Sequence, residues 1–174
     1  MSRPWRDEGS ASIRIAAPPG VVYDRVADIT ATGDRSLECR AADWLPAQPP
    51  GQVGSRFRGR NRSGRLIRWS RTCEIIEATP GGCFAFRTVP ERWDPSRNDS
   101  TIWRYTLTTD GNGTLVTHDY RIVKPPLAGF KWLYGHLLPH HRDMRPHLQH
   151  TLDALAQELG SSTAKSSASG RPAG

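Results

Sequence analysis

The sequence predicts an α+β domain: a curved antiparallel sheet of about seven strands wrapped around a long C-terminal helix, in the order strand, two short helices, six strands, helix. Three observations predict it. Between Gly54 and Val123 the chain divides into strand-like segments, most of them joined by turn residues: Asn61-Arg62-Ser63-Gly64, Pro80-Gly81-Gly82 and Asp110-Gly111-Asn112-Gly113. Leu148, Leu152, Leu155 and Leu159 recur at steps of four, three and four, which is one apolar stripe along a helix. That stripe needs a surface to lie on, and the sheet is the only large one available.

The elements follow in order. Ser12–Ala16 alternates in polarity and predicts a short strand. Pro18-Pro19-Gly20 ends it and opens a helix, with Pro19 near its first turn and Val22, Val26 and Ile29 at helical spacing. Thr30–Asp34 is a turn or a second short helix, and Leu37–Trp44 returns to strand character. A Pro- and Gly-rich loop over 46–54 leads to strands at about 55–61, 66–78, 83–88, 101–110 and 114–123. Pro90–Asp99 is a longer polar loop. The region 128–159 is helical, with breaks at Pro139 and Pro146. The first eleven residues read as a loose arm, and the Ser-, Ala- and Gly-rich residues 160–174 as a disordered tail. The folded unit is therefore 12–159.

Composition narrows the function classes. With 36% hydrophobic and 24% charged residues, a chain of 174 residues is a single globular domain with a real core. No apolar run approaches the roughly 20 residues that cross a bilayer, and the N-terminal residues carry no signal-peptide pattern. Three cysteines without metal-like spacing fit reduced thiols in a cytoplasm. The net charge of +7 is carried by 21 arginines and only 3 lysines. It leaves an anionic partner open, but an arginine-rich codon bias is the favoured account.

Seven arginines fall between Arg56 and Arg71. They either grip phosphates or form the wet face of a sheet. Alternation favours the second: Phe57 and Gly59 share one face, while Arg56, Arg58, Arg60 and Arg62 point away. Nucleic-acid binding needs stacking aromatics among the arginines, or a helix-turn-helix or zinc pattern, and none is present. On the inward faces, Ile67, Trp69, Arg71, Cys73 and Ile75 fall together. So do Phe84 with Phe86, Trp103 with Tyr105 and Leu107, and Val116 with His118, Tyr120 and Ile122. A one-residue bulge would invert any of these assignments beyond it.

RFRGRNRSGRLIRWSRTCEIIEATPGGCFAFR, followed by WRYTLTTDGNGTLVTHDY, resembles the polyketide cyclase/dehydrase-like branch of the SRPBCC superfamily. IRIAAPPGVVYDRVADIT near the start, Glu38-Cys39 before Trp44, and the final TLDALAQEL add to the likeness, which covers about 12–159. The resemblance implies the helix-grip fold of START domains and the birch-pollen allergen, with an apolar or aromatic molecule held between sheet and long helix. Some members cyclise or aromatise polyketides, and others sequester or transport ligands. Here Arg35 and Leu37 stand where members often carry tryptophan and proline, and His118 where an acidic residue is common.

Candidate chemistry follows from the inward faces. His118 and Tyr120 lie two apart: an imidazole exchanges protons near neutral pH, and a phenol holds an enolate or carbonyl oxygen. Arg71 on an apolar face needs a partner, either a ligand oxygen or an internal acid such as Glu38. Arg71, His118 and Tyr120 are thus the catalytic candidates, with a buried structural histidine as the alternative. Phe57, Trp69, Phe84, Phe86, Trp103 and Tyr105 are the ligand-binding candidates, or plain core. His136 and His140 have the i, i+4 spacing of metal ligands, but Pro139 interrupts them and only Asp143 lies near, so neither metal nor other cofactor is expected. The nearly all-apolar stretch 127–138 is a lid, a homodimer contact or a membrane-touching patch, in that order.

Overall fold

The strands pair in the order β1-β7-β6-β5-β4-β3-β2, antiparallel throughout. In this computed structural model, which describes residues 5–46, 49–90, 100–124 and 128–169, the strands are β1 (Glu8–Ile15), β2 (Cys39–Trp44), β3 (Arg56–Ser63), β4 (Ile67–Thr79), β5 (Cys83–Thr88), β6 (Ser100–Asp110) and β7 (Gly113–Lys124). The helices are α1 (Pro19–Ala27), α2 (Thr32–Arg35), α3 (Ala128–Leu137) and α4 (Arg145–Ser169), with 3-10 turns at Ile29–Ala31 and Pro139–Arg142. The expected α+β helix-grip order is thus present. Residues 91–99 of the long polar loop lie outside the described residues.

Two boundaries differ from expectation. The first strand begins at Glu8, not Ser12, because Glu8 to Ala11 pair with Arg121 to His118 of β7. The preceding residues are tied too: the Arg6 N–H donates to the Arg142 carbonyl at 2.9 Å, and the Ile122 N–H to the Asp7 carbonyl at 2.7 Å. A polar sequence reads as a loose arm, yet it is an edge strand whose ladder bonds come from β7. At the other end, α4 continues through Ser169, so the expected disordered tail is helical for its first ten residues. Ala, Ser and Lys carry no stripe there, and none is needed to extend a nucleated helix.

The leucine stripe does what its spacing requires. Leu148, Leu152, Leu155 and Leu159 are all buried, and α4 lies against β1 and β7. Pro146 does not break this helix; it sits in its first turn, where a missing N–H costs nothing. Val22, Tyr23 and Val26 of α1 close the other side of the core, with Tyr23 edge-on to Phe84 at 6.2 Å.

The turns carry the geometry their residues promise. Gly81 and Gly111 adopt φ of 71° and 58°, a region that costs a side chain energy. Arg14 of β1 clamps the second turn, donating to the Asp110 carboxylate at 2.9 Å and to Asn112 Oδ1 at 3.1 Å. A bulge between Ile75 and Glu77 shifts the register of β4 against β5, so the inward face passes from Ile75 to Ala78. The assignments up to Ile75 stand, and the inversion falls beyond them.

On the outer face, Arg56 and Arg87 both reach Glu74, at 2.7 and 3.0 Å. Arg60 pairs with Asp43 at 2.7 Å and Arg104 with Glu77 at 3.3 Å. These cross-strand pairs on a solvated surface stabilise the fold by only ~0–1 kcal/mol each.

Candidate functional site

The curved sheet, α2, the 3-10 turn at Pro139–Arg142 and the start of α4 enclose a cavity of about 700 Å³. Its volume falls in the range of small-molecule sites. Phe57, Trp69, Phe86, Trp103 and Tyr105 line it, as do Arg71 and His118. Phe84 and Tyr120 do not. Phe84 is fully covered by α1. Tyr120 is held under the start of α4 with Met144 and Leu148, and its hydroxyl donates to the Arg6 carbonyl at 3.2 Å. Both side chains are on the inward face, but helices cover that face at its ends and leave only its middle open. The pairing of His118 with Tyr120 as cavity neighbours is therefore corrected: strand alternation placed them on one face without showing where the helices cross it.

His118 is the most unusual group in the cavity. It pairs with Tyr105 across β6 and β7, and the two rings stack at 3.9 Å with planes 15° apart. Trp103 lies 6.1 Å from the imidazole. Both ring nitrogens are buried without a hydrogen-bond partner, a costly state for a polar group. Burial pushes its pKa down to about 3, so the ring is neutral at physiological pH. The expectation of a histidine titrating near neutrality is corrected by this desolvation. Burial also pushes the Tyr105 phenol up to about 12, and the Cys73 thiol likewise to about 12, which excludes a thiolate there at neutral pH.

Three further features shape the cavity wall, of which Trp5 and the histidine pair facing Glu38 are not expected from the sequence. Trp5, from the supposed arm, lines the cavity. Arg35 is buried beside it, and its guanidinium donates to the carbonyls of Arg25 at 2.6 Å and Asp28 at 3.0 Å, capping the C-terminal end of α1. Glu38 faces a pair of histidines: His141 Nε2 is 2.9 Å from Oε1 and His140 Nε2 is 3.5 Å from Oε2. Burial would raise the Glu38 pKa, but the two imidazoles outweigh it and hold the group at about 2. The Glu38 backbone is fixed locally, since the N–H groups of Glu38 and Cys39 both donate to Ser36 Oγ. His147 stacks on His140 at 4.6 Å with planes 8° apart. Glu38 is 103 residues from His141 along the chain, a separation that leaves no spacing signal; only tertiary contact unites them.

The stretch expected as a lid forms α3. Leu137 and Leu138 reach the cavity, whereas Trp132 is 67% exposed. Among the described residues no helix is long and apolar enough to cross a membrane.

The sequence profile of the family described as "Polyketide cyclase / dehydrase and lipid transport" matches residues 7–160. The chain belongs to that family. Its fold recurs in solved structures of low identity. The di-domain ARO/CYC StfQ from the steffimycin biosynthetic pathway matches with a TM-score of 0.70 at 7% identity, over 91% of this chain and 52% of that one. TTHA0849 from Thermus thermophilus matches with a TM-score of 0.63 at 18% identity, over 89% and 98%. Ara h 8.0201 gives 0.62 at 10% identity, over 88% and 97%. At these identities the likeness shows the helix-grip fold alone. No functionally curated protein matches the sequence.

Proposed function

We propose that the protein binds a flat apolar or aromatic molecule of polyketide type in the cavity, with the neutral His118 as its hydrogen-bond anchor. The observation that carries this reading is the pair of unpartnered ring nitrogens on His118, buried in a wall to which Phe57, Phe86, Trp103 and Tyr105 also contribute. A neutral imidazole offers one donor and one acceptor, which suits a phenol or an enolised ketone. The aromatic rings supply the stacking area. The family's description and the aromatase/cyclase di-domain proteins that share the fold support the same ligand class.

Trp5, Trp69 and Trp103 in the wall make binding visible. A hydroxylated polycyclic aromatic is expected to quench tryptophan fluorescence saturably. Replacing His118 by Phe keeps the stacking surface and removes the anchor, which weakens binding by roughly tenfold, the equivalent of one hydrogen bond at about 1.4 kcal/mol. Absence of quenching across a panel of such compounds would sink the reading.

A second reading, aldol cyclisation and dehydration of a poly-β-ketone, is favoured by Arg71 and His118 lining one cavity. In it, Arg71 and the neutral His118 hydrogen-bond to the carbonyl oxygen and hold the developing enolate while the alpha proton leaves to solvent, because an imidazole whose pKa is held at about 3 is too weak a base to take it. Tyr120, engaged with the Arg6 carbonyl, has no part in it. Turnover by His118→Ala equal to that of the unaltered protein would rule this reading out.

A further inference from the structure

We propose that Glu38, His140 and His141 form a binding site for one divalent transition-metal ion of the zinc class, with an open coordination position facing the cavity. The three donor atoms lie within 4.8 Å of one another and come from two distant parts of the chain. A zinc-type ion binds such groups at about 2.0–2.2 Å, which places tetrahedral donors roughly 3.4 Å apart. His141 Nε2 lies 2.9 Å from Oε1 and His140 Nε2 3.5 Å from Oε2, so each imidazole already sits near that spacing from one oxygen of the carboxylate. His140 Nε2 is buried, and its facing polar group is Glu38 Oε2 at 3.5 Å, a contact too long and poorly aligned to count as a hydrogen bond. Two imidazoles and one carboxylate are a borderline-hard donor set suited to zinc, cobalt or iron(II) rather than to magnesium or calcium.

The surrounding residues hold the donors in place. Pro139 opens the 3-10 turn, and the His141 N–H donates to the Leu138 carbonyl at 2.9 Å. The turn that seemed to disrupt a helical His136/His140 pair is what aims the adjacent His140 and His141 at one carboxylate. His147 stacks on the His140 ring, and Trp69 packs edge-on to His141 at 6.2 Å. These ring contacts restrict how the two imidazoles can turn. Glu38 and His141 line the cavity, so a metal held by three protein donors keeps its fourth position toward that space, where water or an oxygen of a bound molecule completes the shell. The inference does not depend on the identity of the cavity ligand.

The test is titration of the tag-free full-length chain with zinc chloride by calorimetry, and with cobalt(II) by visible absorption. One equivalent of zinc is expected to bind with a dissociation constant below about 1 μM, and cobalt(II) to give the intense visible bands of a four- or five-coordinate ion. Glu38→Gln and His141→Ala are each expected to weaken binding by about 100-fold or more. His136→Ala, at an exposed histidine outside the cluster, leaves it unchanged. Should Glu38→Gln fail to fold, His140→Gln retains the Glu38–His141 contact and reads the same loss. No binding below about 100 μM overturns the site and leaves a carboxylate–imidazole contact only. Stoichiometric binding that survives these replacements also overturns it, by assigning the metal to other histidines.

Discussion

His118 shows how burial redirects the chemistry of a side chain. In water its imidazole titrates near 6.5; inside the cavity wall burial brings that to about 3. Across this window the unfolded chain takes up a proton that the folded chain refuses, so stability rises with pH. The contribution is complete above the ordinary value and is lost as the pH falls toward the folded one. Denaturant unfolding at pH 7 and pH 5 is expected to show a loss on the order of 2 kcal/mol from this group, and His118→Phe removes that part of the acid sensitivity. Equal acid sensitivity in the two proteins contradicts the assignment. Arg35 is the reverse case, a charge that stays buried because it is used. Its two donated hydrogen bonds satisfy carbonyls at the end of α1. Arg35→Met is expected to destabilise the fold by ~2–3 kcal/mol in thermal or urea unfolding, whereas the same change at the exposed Arg68 stays within about 0.5 kcal/mol.

Among the elements, α4 and the β6–β7 hairpin define the cavity. Leu152 is fully buried in the middle of the α4 stripe, and Leu152→Ala is expected to cost ~2–5 kcal/mol by leaving a hole that packing cannot refill. The β6–β7 hairpin sets which inward side chains meet, through the pairs Trp103 with Tyr120, Tyr105 with His118 and Leu107 with Val116. Its turn ends at Gly113, where a Cβ would come within 2.5 Å of the Ile15 carbonyl oxygen. Gly113→Ala therefore forces β1 away from β7, and a drop in melting temperature larger than that of Gly160→Ala, which meets nothing within 4 Å, is the expected readout. These hairpin faces were legible from alternation alone, because a period of two fixes orientation. The N-terminal strand was not legible over Glu8–Ala11, because its polar alternation matches a solvated arm and its partner lies more than a hundred residues away.

For the molecule as a whole, the sheet separates its two faces by function. The arginines of β3 stay in water, and Arg56, Arg60, Arg87 and Arg104 meet carboxylates on neighbouring strands. The charge excess is thus partly answered within the surface. Only weak, strongly salt-dependent affinity for DNA or RNA is expected in a mobility-shift assay, vanishing by about 0.2 M salt; tight binding there would reverse the assignment of the outer face. The inner face curves around the cavity and gives it an aromatic wall, while Glu38 and His141 reach it from the segment before β2 and from the 3-10 turn. The apolar side chains Trp132, Leu133 and Leu137 on α3 remain exposed beside it.

Element order, strand faces and the buried helical stripe were all readable along the chain. Each is written in local periodicity and turn chemistry, which a short window of residues contains in full. The same order carried the family resemblance. Which inward residues are walls and which are core was settled by assembly, because that depends on where α1 and α4 cross the sheet. Folding also brought Glu38 to His140 and His141, and it set the charge state of His118. Desolvation and long-range contact are properties of the assembled fold, and no spacing along the chain encodes them.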